Sequence, residues 1–268
     1  MVLDGVGISD FNYRRRGGGN WLARIFAATV GAKIPVHGCN SYFAVDSIRS
    51  EGKEKVTKGD KMKEIIIGST VSFGGYMWRV LAIKDHAALI MTENMIGQHP
   101  YHDRAGAVTW ADCALRRYLN HDFYAQFSSE EQAKIIPVWN KNEGNQWYGS
   151  FGGEDTRDFI FLLSMEEAIC KYFGDSSKNL ENRSARQRYW FQKKDVNNGL
   201  RKASLDGYIW WWWLRSPGRD NKKAVYIHGD GNIGIQGNGT YHYSSNTLHP
   251  LSQNNSGGVR PAMWLKLD

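Results

Sequence analysis

Tyr208-Ile209-Trp210-Trp211-Trp212-Trp213-Leu214 is the stretch on which the fold turns. It is far shorter than the roughly 20 apolar residues of a membrane span, and its run of indoles is too apolar for an exposed surface. In an extended strand, successive side chains point to opposite faces. Trp211 and Trp213 then face one way, and Trp210 and Trp212 the other. Both faces need cover, so the stretch predicts a central strand of the core. The chain can supply that core, since 41% of its 268 residues are hydrophobic and it holds 11 Trp, 13 Tyr and 11 Phe. This composition excludes a wholly disordered chain.

Strand signals continue on both sides. Downstream, Ala224–His228 and Ile233–Gln236 flank Gly229-Asp230-Gly231-Asn232, a hairpin signal. The chain closes on Gly258-Val259-Arg260-Pro261-Ala262-Met263-Trp264-Leu265-Lys266-Leu267, which predicts a strand that pins this end into a sheet. Upstream, Ile65–Ile67, Thr70–Phe73, Tyr76–Ile83 and Ala87–Met91 are β-rich, with Gly74-Gly75 as a turn, and predict an antiparallel meander. Short helices lie between. Thr109 caps a helix with Asp112 at the third position, and Trp110, Ala114, Leu115, Tyr118, Leu119 and Phe123 recur at helical spacing. Cys113 falls inside that helix. Ser128 with Glu131, and Ser164 with Glu167, form two further capping boxes. The predicted fold class is α+β, with antiparallel sheets, short helices and long C-terminal loops.

Charge divides the chain. Residues 50–64 (SEGKEKVTKGDKMKE) are nearly free of large apolar groups and read as a linker. They separate an N-terminal arm or partial module with its charged linker, residues 1–63, from a ligand-binding domain, residues 64–268. Arg14-Arg15-Arg16, Gly17-Gly18-Gly19 and the apolar run from Trp21 mimic a signal peptide, but Arg24 interrupts the apolar run. The formal net charge is +7, and residues 176–223 hold 12 basic groups against 4 acidic ones. Within Lys178–Lys223, Arg183, Arg186, Arg188, Lys193, Lys194, Arg201 and Lys202 are interleaved with Tyr189, Trp190 and Phe191. Such a mixture can bind phosphates and stack bases, or it can be a solvated connection with rings tucked into the core. No recognised nucleic-acid motif accompanies it. Nucleic acid is therefore not the expected partner, although a binding module on residues 178–223 stays an alternative.

Catalytic and metal chemistry finds little support. Three widely spaced cysteines, Cys39, Cys113 and Cys170, make neither a disulfide framework nor a close-spaced zinc site. Cys113 and Cys170 read as small core residues. His99-Pro100-Tyr101-His102-Asp103 clusters ligand types, but Pro100 argues against helical spacing and no third ligand is placed. Asp230-Gly231-Asn232 resembles a fragment of a calcium loop without its acidic partners, and reads as a turn. Glu166-Glu167 is accounted for by helix capping. No nucleophile elbow is present. No cofactor, no metal and no enzymatic activity are expected. An enzyme using His99, His102 and Asp103 is the rival reading.

Five strings in order resemble a known family: FGGYMWRVLAI (73–83), TWADCALRRYLNHDFYAQFSSEE (109–131), TRDFIFLLSMEEAICKYF (156–173), WWLRSPG (212–218) and GVRPAMWLKL (258–267). They resemble the bacterial and phage domain of unknown function numbered 6273, over about residues 64–268. The resemblance implies a C-type-lectin-like fold shared with formylglycine-generating enzymes, to whose ending Gly258-Val259-Arg260 is similar. Those enzymes need a cysteine pair in the C-terminal half, and no cysteine follows Cys170. The calcium-dependent sugar motifs of lectins, Glu-Pro-Asn or Gln-Pro-Asp with Trp-Asn-Asp, are absent too.

Some members resemble variable proteins of diversity-generating retroelements, in which an error-prone reverse transcriptase rewrites adenines in a C-terminal segment. That resemblance implies a variable surface on residues 219–257. Its candidate ligand-binding residues are Asp220, Asn221, Tyr226, His228, Asp230, Asn232, Asn238, Tyr241, His242, Tyr243, Ser244, Ser245, Asn246, His249, Asn254 and Asn255. The composition suits binding, because Tyr gives contact area at low entropy cost while Ser, Asn and Gly adapt their hydrogen bonds. Trp211, Trp213, Arg215, Gly258, Arg260 and Trp264 form the expected scaffold. The expected function is non-enzymatic adhesion or receptor recognition. A protein or glycan on a cell surface is the expected partner, and a phage virion or bacterial cell surface the expected location.

Overall fold

The computed structural model describes residues 65–174, 196–241 and 256–267. The arm and linker at 1–63 and the cations from Lys178 to Lys194 lie outside them. In chain order the strands are β1 (Thr70–Phe73), β2 (Tyr76–Lys84), β3 (Ala87–Thr92), β4 (Gly97–His99), β5 (Ile135–Ile136), β6 (Val138–Asn140) and β7 (Thr156–Asp158). Then come β8 (Ala203–Leu205), β9 (Tyr208–Trp210), β10 (Trp212–Pro217), β11 (Lys223–Ile227), β12 (Ile233–Gly239), β13 (Gly257–Val259) and β14 (Ala262–Lys266). Among the described residues the α-helices are α1 (Ala114–Tyr118), α2 (Ser129–Lys134) and α3 (Val196–Arg201).

Two five-stranded sheets organise the molecule, in the orders β1-β2-β3-β14-β5 and β12-β11-β10-β13-β4. The first is antiparallel throughout. The second is antiparallel except where β10 runs parallel to β13. The class is mixed α+β, mostly antiparallel, with few and short helices. β3 and β10 are buried along their whole lengths, as central strands covered on both faces must be. The core joins them through Trp78, Leu89, Phe123, Phe161, Trp212 and Ile235.

Several elements differ from the sequence expectation. Ile65–Ile67 is not a strand: Ser69 N–H closes a turn on the Ile66 carbonyl, Gly68 sits at φ 86°, and Ile66 and Ile67 are exposed. The tryptophan run is two strands rather than one. Tyr208–Trp210 pairs with β8, whereas Trp212 pairs with Ile227 and Gly258. The chain changes partner at Trp211, whose carbonyl accepts from Gly258 N–H. The closing strand is also divided. Pro261 has no N–H to give a ladder, so the chain leaves one sheet after Val259 and enters the other at Ala262. Thr109 does not cap a helix through its side chain. A 3-10 turn, Trp110–Asp112, ends at Cys113, and the Cys113 Sγ caps α1 by accepting from Arg116 N–H at 3.3 Å. Leu119–Phe123 then forms a π-helical turn. The expected apolar stripe survives these interruptions, since Trp110, Leu115, Leu119 and Phe123 are all buried.

Candidate functional site

The tryptophans build a frame in which three indole N–H groups find carbonyls. Trp213 Nε1 donates to His99 O at 2.9 Å, Trp212 Nε1 to Arg201 O at 2.9 Å, and Trp210 Nε1 to Ser256 O at 3.1 Å. Trp211 lies edge-on to Trp213 at 4.7 Å and to Tyr226 at 5.4 Å between ring centres. Two glycines make this packing possible. A Cβ at Gly257 would run into both indoles, and one at Gly234 into the Tyr226 ring. A Cβ at Gly258 would push aside the flexible Met95 thioether and come within 3.1 Å of the Trp211 carbonyl. Arg260 is wholly buried, donates to Thr92 O at 2.7 Å, and lies 5.2 Å from the Trp212 ring centre. Burial pulls its pKa down to about 10, so it stays charged at neutral pH. Trp264 is half-buried and pairs with Leu89 on one side and Ile136 on the other.

Eight of the expected binding residues fall within the described chain, and the β11–β12 hairpin distributes them. At its turn, His228 and Asp230 are exposed and Asn232 is half-buried. The Asp230 carboxylate accepts from Asn232 N–H at 2.9 Å and lies 3.2 Å from His228 Nδ1, while Asn232 Oδ1 accepts from Asn198 in α3. At the opposite end, Asn221 donates to Phe151 O at 2.7 Å, Asp220 accepts from Lys222 N–H at 2.9 Å, and Asn238 and Tyr241 follow on β12 and beyond. About 13 Å of strand separates the two ends. Tyr226 lies between them, half-buried on Trp211. His242, Tyr243, Ser244, Ser245, Asn246, His249, Asn254 and Asn255 lie outside the described residues.

The described chain leaves off at Tyr241 and resumes at Ser256. Tyr241 forms a bridge with His102, and Gly257 pairs with His99. Both ends of that interval are therefore fastened to one short stretch, Gly97–His102, at the edge of the second sheet. The histidines there have structural partners. His99 stacks on Tyr118 at 4.1 Å, and burial lowers its pKa against a smaller opposing pull from Asp122. His102 Nδ1 accepts from Ala114 N–H at 3.2 Å. No group of three or more His, Cys, Asp or Glu is placed to hold a metal among the described residues, and no helix there is long and apolar enough to cross a membrane. Arg201 corrects the nucleic-acid alternative in part. It is wholly buried, bound to Gly231 O and Asn198 Oδ1, and cannot reach a phosphate.

A polar cleft of about 540 Å³ opens beside the end of β10. Among the described residues, its walls are Trp139 and Asn140 of β6, Lys141, Glu143, Gly144 and Gln146 beyond them, Ser164 to Glu167 with Lys171, and Arg215 with Ser216. Its floor is organised by an ion pair between Arg215 and Glu167. Arg215 also donates to Leu162 O at 2.8 Å, and its guanidinium lies 5.8 Å from the Phe161 ring centre. Its Nε is buried without an acceptor among the described residues. Glu167 works twice. Its Oε2 takes the Arg215 bond and the Ser164 N–H at 2.8 Å, and Ser164 Oγ accepts from Glu167 N–H in return. Burial would raise the Glu167 pKa, but the Arg215 charge and hydrogen bond, the Ser164 N–H and the Lys171 charge together outweigh it and hold the carboxyl below the ordinary carboxylate range. Glu167 Oε1 takes no hydrogen bond among the described residues.

The family described as Domain of unknown function (DUF6273) matches residues 85–267. The chain belongs to that family. No curated protein matches the chain, and no solved structure does. The matched stretch holds the frame, the hairpin and the whole cleft, while β1 and β2 precede it.

Sequence reasoning missed the cleft. Glu167 was legible only as a capping residue, and Arg215 only as scaffold. The available signal was Trp139, an isolated Trp in a short strand that is 73% exposed. Charge-bearing residues at 141, 143, 166, 167, 171 and 215 are too scattered along the chain to form a motif.

Proposed function

We propose that this chain is a non-enzymatic recognition protein with a C-type-lectin-like arrangement, which presents a C-terminal binding surface on a stiff aromatic frame. The observation that carries the reading is the fastening of Tyr241 to His102 and of Gly257 to His99. The interval between them contains Tyr243, His249 and a run of Ser and Asn, and both its flanks are held by a sheet whose central strand is entirely buried. A surface carried by a frame that does not reorganise loses less ordering entropy on contact. The exposed Tyr241 and His228 and the half-buried Tyr226 extend the same residue chemistry onto the hairpin. The closing Gly258-Val259-Arg260 supports the lectin-like reading, because Arg260 lies at the corner where the chain passes between sheets. On this reading the partner is a protein or glycan on a cell surface, and the C-terminal segment is a target of retroelement diversification.

The test is retention of the purified chain on a panel of intact bacterial cells, read by flow cytometry. Combined Tyr241→Ala, Tyr243→Ala and His249→Ala substitution is expected to abolish retention and leave the far-UV dichroism and Tm unchanged. Retention by no cells, or equal retention of the variant, sinks the proposal. The diversification part is tested separately. A near-copy of the codons for residues 219–257, differing only at adenines and lying near a reverse transcriptase, is expected in the source genome, and its absence removes that part.

A further inference from the structure

We propose that the cleft between β6, the Ser164–Lys171 stretch and the end of β10 binds a neutral saccharide, whose ring stacks on Trp139 while its hydroxyls bond to Glu167 and Gln146. None of the residues assigned to the C-terminal surface lines this cleft, so the inference stands apart from the preceding reading. Its volume of about 540 Å³ falls within the ~300–1,000 Å³ of small-ligand sites.

The charges decide the ligand class. Three cations and three carboxylates line the cleft among the described residues, and most already have a partner. Lys141 Nζ is 2.9 Å from Glu143, Arg215 holds Glu167, and Lys171 Nζ lies 5.2 Å from the Tyr172 ring centre. The three cations and three carboxylates balance, so a charged ligand finds no net attraction in the cleft and faces a like charge next to each attractive one. A neutral polyol leaves the pairs intact. Glu167 Oε1 is an acceptor whose charge is already balanced, so a ligand hydroxyl can donate to it without a buried charge being created or lost. The Gln146 amide can donate and accept at the same ligand.

Trp139 supplies the other half of the recognition. It is 73% exposed on a strand paired to β7, with Arg157 as its cross-strand neighbour. Its indole is a broad apolar plane held beside polar groups, and such a surface matches the C–H face of a pyranose ring. A wholly apolar ligand would leave Glu167 Oε1 and the Gln146 amide facing it without a hydrogen bond.

Isothermal titration of the full chain with maltotetraose, cellotetraose and chitotetraose is the test, with glutamate and inorganic phosphate as charged probes. At least one oligosaccharide is expected to bind, with affinity little changed as salt rises from about 0.05 to about 0.5 M. Trp139→Ala, a surface change that spares the core, is expected to weaken binding at least about tenfold. Gln146→Ala is expected to weaken it less, and Tyr241→Ala not at all. Four results overturn the inference: no oligosaccharide bound, sugar binding unaltered by Trp139→Ala, salt-sensitive binding displaced by glutamate or phosphate, or self-association through Trp139 with no sugar bound. Loss of cell retention in the Tyr241→Ala, Tyr243→Ala and His249→Ala variant, with sugar binding intact, would separate the two sites.

Discussion

Glu167 shows how one side chain can couple local and distant structure. Its cap on Ser164 is written in a three-residue spacing, but its pairing with Arg215, 48 positions away, is not. Removing its charge should leave the buried Arg215 guanidinium without its counter-charge. Glu167→Gln is expected to lower stability by about 3 kcal/mol at neutral pH, measured by urea unfolding. The pH dependence follows from the depressed carboxyl. The unfolded state binds the proton more readily, so the contribution is complete above the ordinary Glu value of about 4.3 and is lost as pH falls through the lower folded value. The gap between parent and Glu167→Gln should therefore narrow in that acid range. A gap that stays constant down to pH 3 would show that the charge is not the source.

At the scale of elements, capping was readable wherever the cap is a Ser with a Glu three residues on. Ser128 and Glu131 close a full box, with Ser128 N–H donating to Glu131 at 2.8 Å. The same carboxylate also accepts from Gly74 N–H in the β1–β2 turn, so the box ties α2 to the first sheet. Ser128→Ala is expected to cost about 1 kcal/mol, seen as a lower urea midpoint with an unchanged slope. No loss would mean that the Glu131 N–H, which donates to Ser128 Oγ, is satisfied by water instead. The Thr109 expectation failed for a local reason. Cys113 adopts an extended backbone at ψ 151°, which breaks the helix, and its thiol takes over the capping. Burial raises that thiol to about 12, so it serves as a neutral acceptor rather than a reactive thiolate.

For the whole molecule, the last strand is structurally central although it is terminal in sequence. β14 lies between β3 and β5 and is hydrogen-bonded to both. Its loss would expose the buried β3 and leave a row of unpaired backbone groups. Deleting residues 262–268 is expected to abolish cooperative unfolding and near-UV dichroism, whereas a sharp transition in the truncated chain would contradict this. The nucleic-acid rival loses Arg201 at this scale too, because the fold uses that guanidinium as an interior clasp between α3 and the hairpin turn.

The α+β class, the burial of the Trp212–Leu214 part of the tryptophan run, the β11–β12 hairpin and two of the three caps were decided by the sequence alone. Each depends on neighbours within a few residues, where periodicity, turn chemistry and capping geometry operate. Tertiary structure alone decided where the chain changes sheet, at Trp211 and Pro261, because that choice depends on which distant strand offers a partner. It also decided the cleft. Trp139, Glu167 and Arg215 acquire a common chemistry only when separate strands and turns bring them to one place, and no local pattern records an encounter between residues so far apart.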